Sequence, residues 1–131
     1  MKYIQSPNYP SNYDSNSDCE WRITSIDRIT IKMEDARFES SCSCDRVRVY
    51  DGRTEYHREL VVFDGGEINK EYTSSGYEVL IKFHSDSSIN QRGFRLQYYL
   101  AIAGSDDVNI GKIVGIVVGI VVSLILCKVC W

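Results

Sequence analysis

The chain has 131 residues, room for one domain of roughly 100–150 residues and an appendage but not for two independent cores. A hydrophobic share of 44% with 25% charged residues argues against intrinsic disorder, and nine tyrosines favour strands. Residues 1–107 hold all 18 acids and 13 of the 15 basic residues, a net −5, against +2 for residues 108–131; such an acidic body with scattered arginines does not suit a nucleic-acid backbone, which asks for clustered Lys and Arg.

The opening stretch, "IQSPNYPSNYDSNSDCEW" from Ile4 to Trp21, places Pro7 and Pro10 beside aromatics and turn-formers. This predicts an extended edge segment leading into a strand at Trp21. Within it Asp14, Asn16, Asp18 and Glu20 mimic the alternating ligands of an EF-hand loop. The match fails, because Cys19 stands where that loop needs Gly and Ser25 where it needs a bidentate Glu.

From there to residue 100 the apolar pattern has period two, as in strands with one buried and one wet face. Ile29, Ile31 and Met33 alternate with Thr30 and Lys32; Val47 and Val49 flank Arg48; Tyr77, Val79, Ile81 and Phe83 alternate with Glu78 and Lys82; Phe94, Leu96, Tyr98 and Leu100 interleave with Arg95 and Gln97. Turn signals separate them at Asp51-Gly52, Asp64-Gly65-Gly66, Ser74-Ser75-Gly76 and Ser85 to Gly93. Short antiparallel strands with such turns predict a two-sheet sandwich.

After a polar hinge, residues 102–107, comes "VNIGKIVGIVVGIVVSLILCKVCW". The uncharged run Ile113–Cys127 spans only about 23 Å as helix, but residues 108–127, with Lys112 snorkelling, reach about 30 Å and so predict a transmembrane helix with 128–131 as a short tail. Gly111, Gly115, Gly119 and Ser123 recur every four residues, a small-residue stripe suited to pairing two such helices. Cys127 and Cys130 are either acylation sites or unmodified thiols, and Trp131 suits the interfacial belt. No apolar leader follows Met1, so the expectation is a longer N-terminus or a tail-anchored protein.

Catalysis finds little support. The sequence has no G-x-S-x-G, no H-E-x-x-H and no phosphate-cradling glycine loop, and only His57 and His84 are available to a triad. A zinc set drawn from Cys42, Cys44, His57 and His84 has poor spacing.

Three segments, "SPNYPSNYDSNSDCEWRI", "FESSCSCDRVRVYDG" and "VLIKFHSDSSINQRGFRLQYY", resemble in this order the signature segments of the CUB domain, over about residues 2–100. The resemblance implies an all-β fold, a CUB-like jelly-roll β-sandwich of two antiparallel sheets over residues 1–101, followed here by one C-terminal transmembrane α-helix. Many family members bind Ca²⁺, and the matching positions are Tyr13, Glu39, Asp45 and Asp86. Independently of the family, three carboxylates from separate loops with carbonyls and water suit calcium better than zinc, the alternative being three separately solvated acids.

In calcium-dependent members the partner typically offers Lys or Arg to the acidic ligands, which implies an extracellular protein presenting a basic residue. Ser87, Ser88, Asn90 and Gln91 are candidate polar contacts, and Arg92 is either a contact or a solvated charge. The family usually has two disulfides: Cys19 and Cys42 match the second and third cysteines, the first is absent, and Phe63 stands near the fourth. Cys44 is extra, and a Cys42–Cys44 bridge would close a strained ring.

The expected function is a cell-surface protein-recognition or adhesion module, Ca²⁺-dependent, non-catalytic and single-pass in the plasma membrane, with possible homodimerisation through the glycine stripe. The alternative is the non-catalytic C-terminal part of a longer membrane-bound protease or receptor.

Overall fold

The computed structural model describes residues 2–38, 44–65, 68–86 and 91–101, and the strand course of 121–129. Among them are β1 (Lys2–Gln5), β2 (Ser17–Thr24), β3 (Ile29–Arg37), β4 (Arg46–Tyr50), β5 (Glu59–Phe63), β6 (Glu71–Thr73), β7 (Glu78–His84), β8 (Gly93–Leu100) and β9 (Val121–Val129). They form two antiparallel sheets, ordered β1-β8-β3-β6 and β5-β4-β7-β2-β9. The expected all-β architecture of two antiparallel sheets is what forms, and no described residue is helical.

The alternation sets the layers. Ile29, Ile31 and Met33 of β3 and Phe94, Leu96 and Tyr98 of β8 meet Trp21 and Ile23 of β2, Val47 and Val49 of β4, and Val79, Ile81 and Phe83 of β7 in one buried cluster. Phe94 is central: its ring meets Trp21 edge-on at 5.9 Å and lies 5.4 Å from Phe83 and 6.4 Å from Phe38. Such offset and edge contacts add to plain area burial.

Two details depart from the sequence reading. Tyr77 lies outside β7 and is 59% exposed, so the buried face of that strand begins at Val79. Gln97 and Thr30, assigned to wet faces, are buried. Gln97 sits mid-sheet with β1 on one side and β3 on the other, and Thr30 is satisfied by a 2.9 Å hydroxyl pair with Thr73.

No helix is described within the stretch 108–127 where one is expected. Residues 108–120 lie outside the described residues, as do Gly111, Gly115 and Gly119, while Val121–Val129 run as a strand that places Ser123 opposite Arg22. No helix among the described residues is long and apolar enough to cross a membrane. A Val, Ile and Leu run also suits a pleated strand, and in water its backbone groups find partners along the edge of β2. Length and hydropathy alone do not separate these outcomes.

Candidate functional site

One end of the sandwich gathers the start of β2, the chain entering β4 and the chain leaving β7, because Arg46, His84 and Asp18 stand side by side in the register. Tyr13, in the β1–β2 connection, is buried with its ring edge-on to Phe83 at 5.3 Å and tilted against Phe38 at 6.3 Å. Its backbone N–H donates to the carbonyl of Gln91 at 2.9 Å, tying this turn to the chain before β8.

The Tyr13 hydroxyl donates to Oδ2 of Asp45. Asp45, one residue before β4, is only 1% exposed, and its Oδ1 accepts the backbone N–H of Asp86 at 2.8 Å. The carbonyl of Asp86 in turn accepts the N–H of Asn16 at 2.7 Å. Three of the four expected ligand positions, Tyr13, Asp45 and Asp86, therefore come together from three separate segments. Glu39 lies outside the described residues; it directly follows Phe38, whose ring stacks on Phe83 at 6.1 Å.

A polar frame that the sequence reading missed supports these groups. The N–H of Ser17 donates to Oγ of Ser85, and the hydroxyls of both serines donate to the carbonyl of Asp14, each at 2.8 Å. Both serines are fully buried. Asn16 adopts φ of 56°, a left-handed conformation that Asn tolerates better than most residues, so the Asn-rich run was the available signal.

The donor chemistry fits a hard cation. Every contributing atom is oxygen, the set preferred by calcium over softer metals. A carboxylate has about four lone-pair directions, and Asp45 accepts the Tyr13 hydroxyl on one oxygen and the Asp86 amide on the other. Among the described residues no group of three His, Cys, Asp or Glu side chains sits close enough to hold a metal, so carbonyls, water or Glu39 would complete the shell.

Beside this site, Arg92 is exposed to solvent yet paired. Its Nε and Nη2 donate to the two oxygens of Asp35, each at 2.6 Å, and the hydroxyl of Tyr9 also donates to Asp35 at 2.6 Å. Arg92, and then Tyr9, hold the Asp35 carboxyl down at about 2, while the same hydrogen bond raises the Tyr9 phenol. This clamp fixes the β1–β2 connection and the chain before β8 to β3.

The outer face of the five-stranded sheet carries a cavity of about 240 Å³, lined in part by Arg48, Lys82, His84, Asp18 and Glu55. Its polar groups are paired: Lys82 with Glu55 at 2.7 Å and Glu20 at 3.3 Å, Arg48 with Glu59 at 2.5 Å, and the His84 ring with Asp18 at 2.9 Å. Among the described residues the zinc set considered from sequence is not assembled: His84 bonds Asp18 at 2.9 Å and His57 bonds Thr54 at 3.1 Å, and Cys42 lies outside the described residues.

Comparison with known proteins agrees with this architecture. The model of the CUB domain family matches residues 1–98. Mouse tolloid-like protein 2 is 37% identical over 100 residues, covering 73% of this chain and 10% of that protein. Human cubilin is 36% identical over 104 residues, covering 77% of this chain and 3% of that protein. Among solved structures, the CUB1-EGF-CUB2 domain of human MASP-1/3 superposes with a TM-score of 0.64 at 35% identity, covering 74% of this chain and 40% of that one. The MASP-1 CUB2 domain bound to Ca²⁺ gives 0.54 at 27% identity, covering 73% of this chain and 88% of that one. This chain belongs to the CUB domain family. It spans about a tenth or less of the length of these curated relatives.

Proposed function

We propose that the chain is a non-catalytic, calcium-dependent protein-recognition module that works outside the cell. The observation that carries this reading is the meeting of Tyr13, Asp45 and Asp86 at one loop end, with the buried Asp45 carboxylate oriented on both oxygens. Bound calcium would neutralise the carboxylates of Asp45 and Asp86 and draw their loops together. Tyr13 positions Asp45, Asp86 supplies a second carboxylate, and Glu39 is proposed as the third.

The partner is a protein presenting a Lys or Arg side chain to these acids, a pairing in which charge and hydrogen bonding act together. Loops on a rigid sandwich suit such contacts because the scaffold bears the ordering cost in advance. Support also comes from the family match and from the likeness to a calcium-bound CUB domain.

Membrane attachment through residues 108–127 is the second half of the proposal, resting on their length and hydropathy. Resistance of the full chain to alkaline extraction from membranes supports it, and complete release removes it. The much greater length of the tolloid-like relatives favours one further reading, a non-catalytic part of a longer protease. Reading the transcript upstream of Met1 separates the two, since an in-frame catalytic domain there sinks the stand-alone module. For the calcium site, the test is a Ca²⁺-dependent rise in melting temperature that Asp86→Ala abolishes.

A further inference from the structure

The domain ends its last core strand at the end opposite the candidate calcium site. β8 starts at Gly93, beside the Tyr13 ring, and finishes at Leu100, which stands opposite Ile29. The N–H of Ala101 then donates to the carbonyl of Arg28 at 2.9 Å. Two turns are stitched to this same end. The N–H of Ser25, in the β2–β3 turn, donates to the carbonyl of Tyr77, in the β6–β7 turn, at 2.9 Å. Ser74 and Ile29 are joined twice, Ser74 N–H to the Ile29 carbonyl at 2.8 Å and Ile29 N–H to the Ser74 hydroxyl at 2.9 Å.

These turns present apolar groups where polar ones are usual. Ile26 is 55% exposed and Tyr77 is 59% exposed, on neighbouring turns held together by the Ser25 bond. Exposed Arg28 adjoins them, and Arg53, 61% exposed, reaches Glu78 of β7 at 3.5 Å. An amphipathic phenol ring, an aliphatic side chain and long arginines together suit a membrane–water interface, where Tyr lies at headgroup level and Arg extends to the phosphates.

Singly exposed apolar residues are ordinary on a surface, so the reach of the chain has to decide what lies against these two. Residues 102–107 number six and, fully extended, cover at most about 22 Å. The eight residues of β8 separate the two ends of the sandwich by about 26 Å. With residues 108–127 in a bilayer, the linker holds the exit end near the headgroups. It is too short to let the domain turn over and lay its calcium end there.

We infer that the loop end bearing Ile26 and Tyr77 rests on the lipid headgroups, and that the Asp45 and Asp86 end points away from the bilayer. A protein bound at that far end therefore approaches from solution or from a facing surface. This posture depends on the membrane attachment proposed above and is independent of the calcium reading.

The test places the full chain, one molecule per disc, in phosphatidylcholine nanodiscs and reads hydroxyl-radical oxidation of each tyrosine by mass spectrometry. The comparator carries a flexible Gly-Ser insert of about 20 residues after Gly104, which adds roughly 25 Å of root-mean-square reach and frees the end to lift. Tyr77 should be oxidised several-fold more slowly in the unmodified chain than in the comparator, while Tyr9, at the calcium end, is oxidised equally in both. Equal oxidation of Tyr77 in the two chains, in protein that resists alkaline extraction, overturns the resting end and leaves the membrane span standing. Slower oxidation of Tyr9 instead of Tyr77 overturns the orientation. Protection of Tyr77 that appears only in discs carrying two molecules assigns this end to a second copy and overturns the lipid contact. Complete release of the chain by alkali overturns both the span and the posture.

Discussion

Tyr13 donates its phenolic hydrogen to Asp45, 32 residues further along the chain, while both residues are almost wholly buried. The bond leaves the ring packed on Phe83 and aims the carboxylate toward the loop end where the chain passes Asp86. A buried carboxylate is costly unless its oxygens are satisfied, and Tyr13 and the Asp86 amide satisfy one direction on each.

Tyr13→Phe keeps the ring and removes the donor. It should destabilise the domain by about 1–3 kcal/mol, the usual cost of an orphaned buried partner, and weaken calcium binding as well. Urea melts with chelator and with calcium check this. Wild-type stability in chelator together with wild-type calcium response would show that the hydroxyl positions nothing.

The Asp35–Arg92–Tyr9 clamp makes stability depend on acid. The Asp35 carboxyl sits at about 2, below its ordinary 3.8, so its contribution is present above that ordinary value and is lost as pH falls through the lower one. Melting temperature should therefore drop more steeply between about pH 4 and pH 2 in the wild type than in Asp35→Asn, which has no such proton to take up. Parallel curves would remove the clamp as an acid-sensitive element.

Gly93 has φ of +85°, and a Cβ there would lie 1.9 Å from Oγ of Ser6. That hydroxyl accepts the N–H of Phe94 at 3.0 Å, so the crowding strikes the junction of β1 and β8. Gly93→Ala should cost about 1–3 kcal/mol from the backbone conformation alone, with the steric clash added. Equilibrium denaturation measures it, and a change below about 0.5 kcal/mol, the ordinary range for surface substitutions, would contradict the packing described.

Much of the sandwich was legible because a strand with one buried face writes period two into its sequence. Val47 to Val49 follow that rule, and Ile29 to Met33, Val79 to Phe83 and Phe94 to Leu100 follow it apart from the buried Thr30, Leu80 and Gln97. The short strands were harder to read. Glu71–Thr73 holds three residues, too few to show a period, and β5 changes register against β4 between Val49 and Tyr50. The partner of Arg92 was hidden because Asp35 lies 57 residues away and only the fold brings them together. The tail was ambiguous in another sense, since a Val- and Ile-rich run satisfies lipid as helix and a sheet edge as strand.

At the loop end, the residue types pointed to oxygen ligation; the fold brings the Tyr13 hydroxyl and the Asp86 backbone amide onto Asp45, and Glu39 lies outside the described residues. What the sequence did not reveal was the serine frame beneath them, since Ser17 and Ser85 are separated by 68 residues and hydroxyls have no distinctive spacing.

Removing the aromatic centre offers a check on the scaffold itself. Phe94→Ala deletes a fully buried ring that touches Trp21, Phe83 and Phe38, and should cost about 3–5 kcal/mol. Because Phe38 and Phe83 also flank Tyr13, calcium affinity should fall alongside stability. A loss of stability with unchanged calcium binding would separate the site from the core.

The most direct measurement is calcium titration of the purified domain by isothermal calorimetry, with melting curves in calcium and in chelator, for wild type, Asp45→Asn and Asp86→Ala. The account predicts a single saturable site and a calcium-dependent rise in melting temperature in the wild type, both lost in the two variants. A wild-type domain that melts identically in calcium and in chelator and shows no binding heat would contradict it.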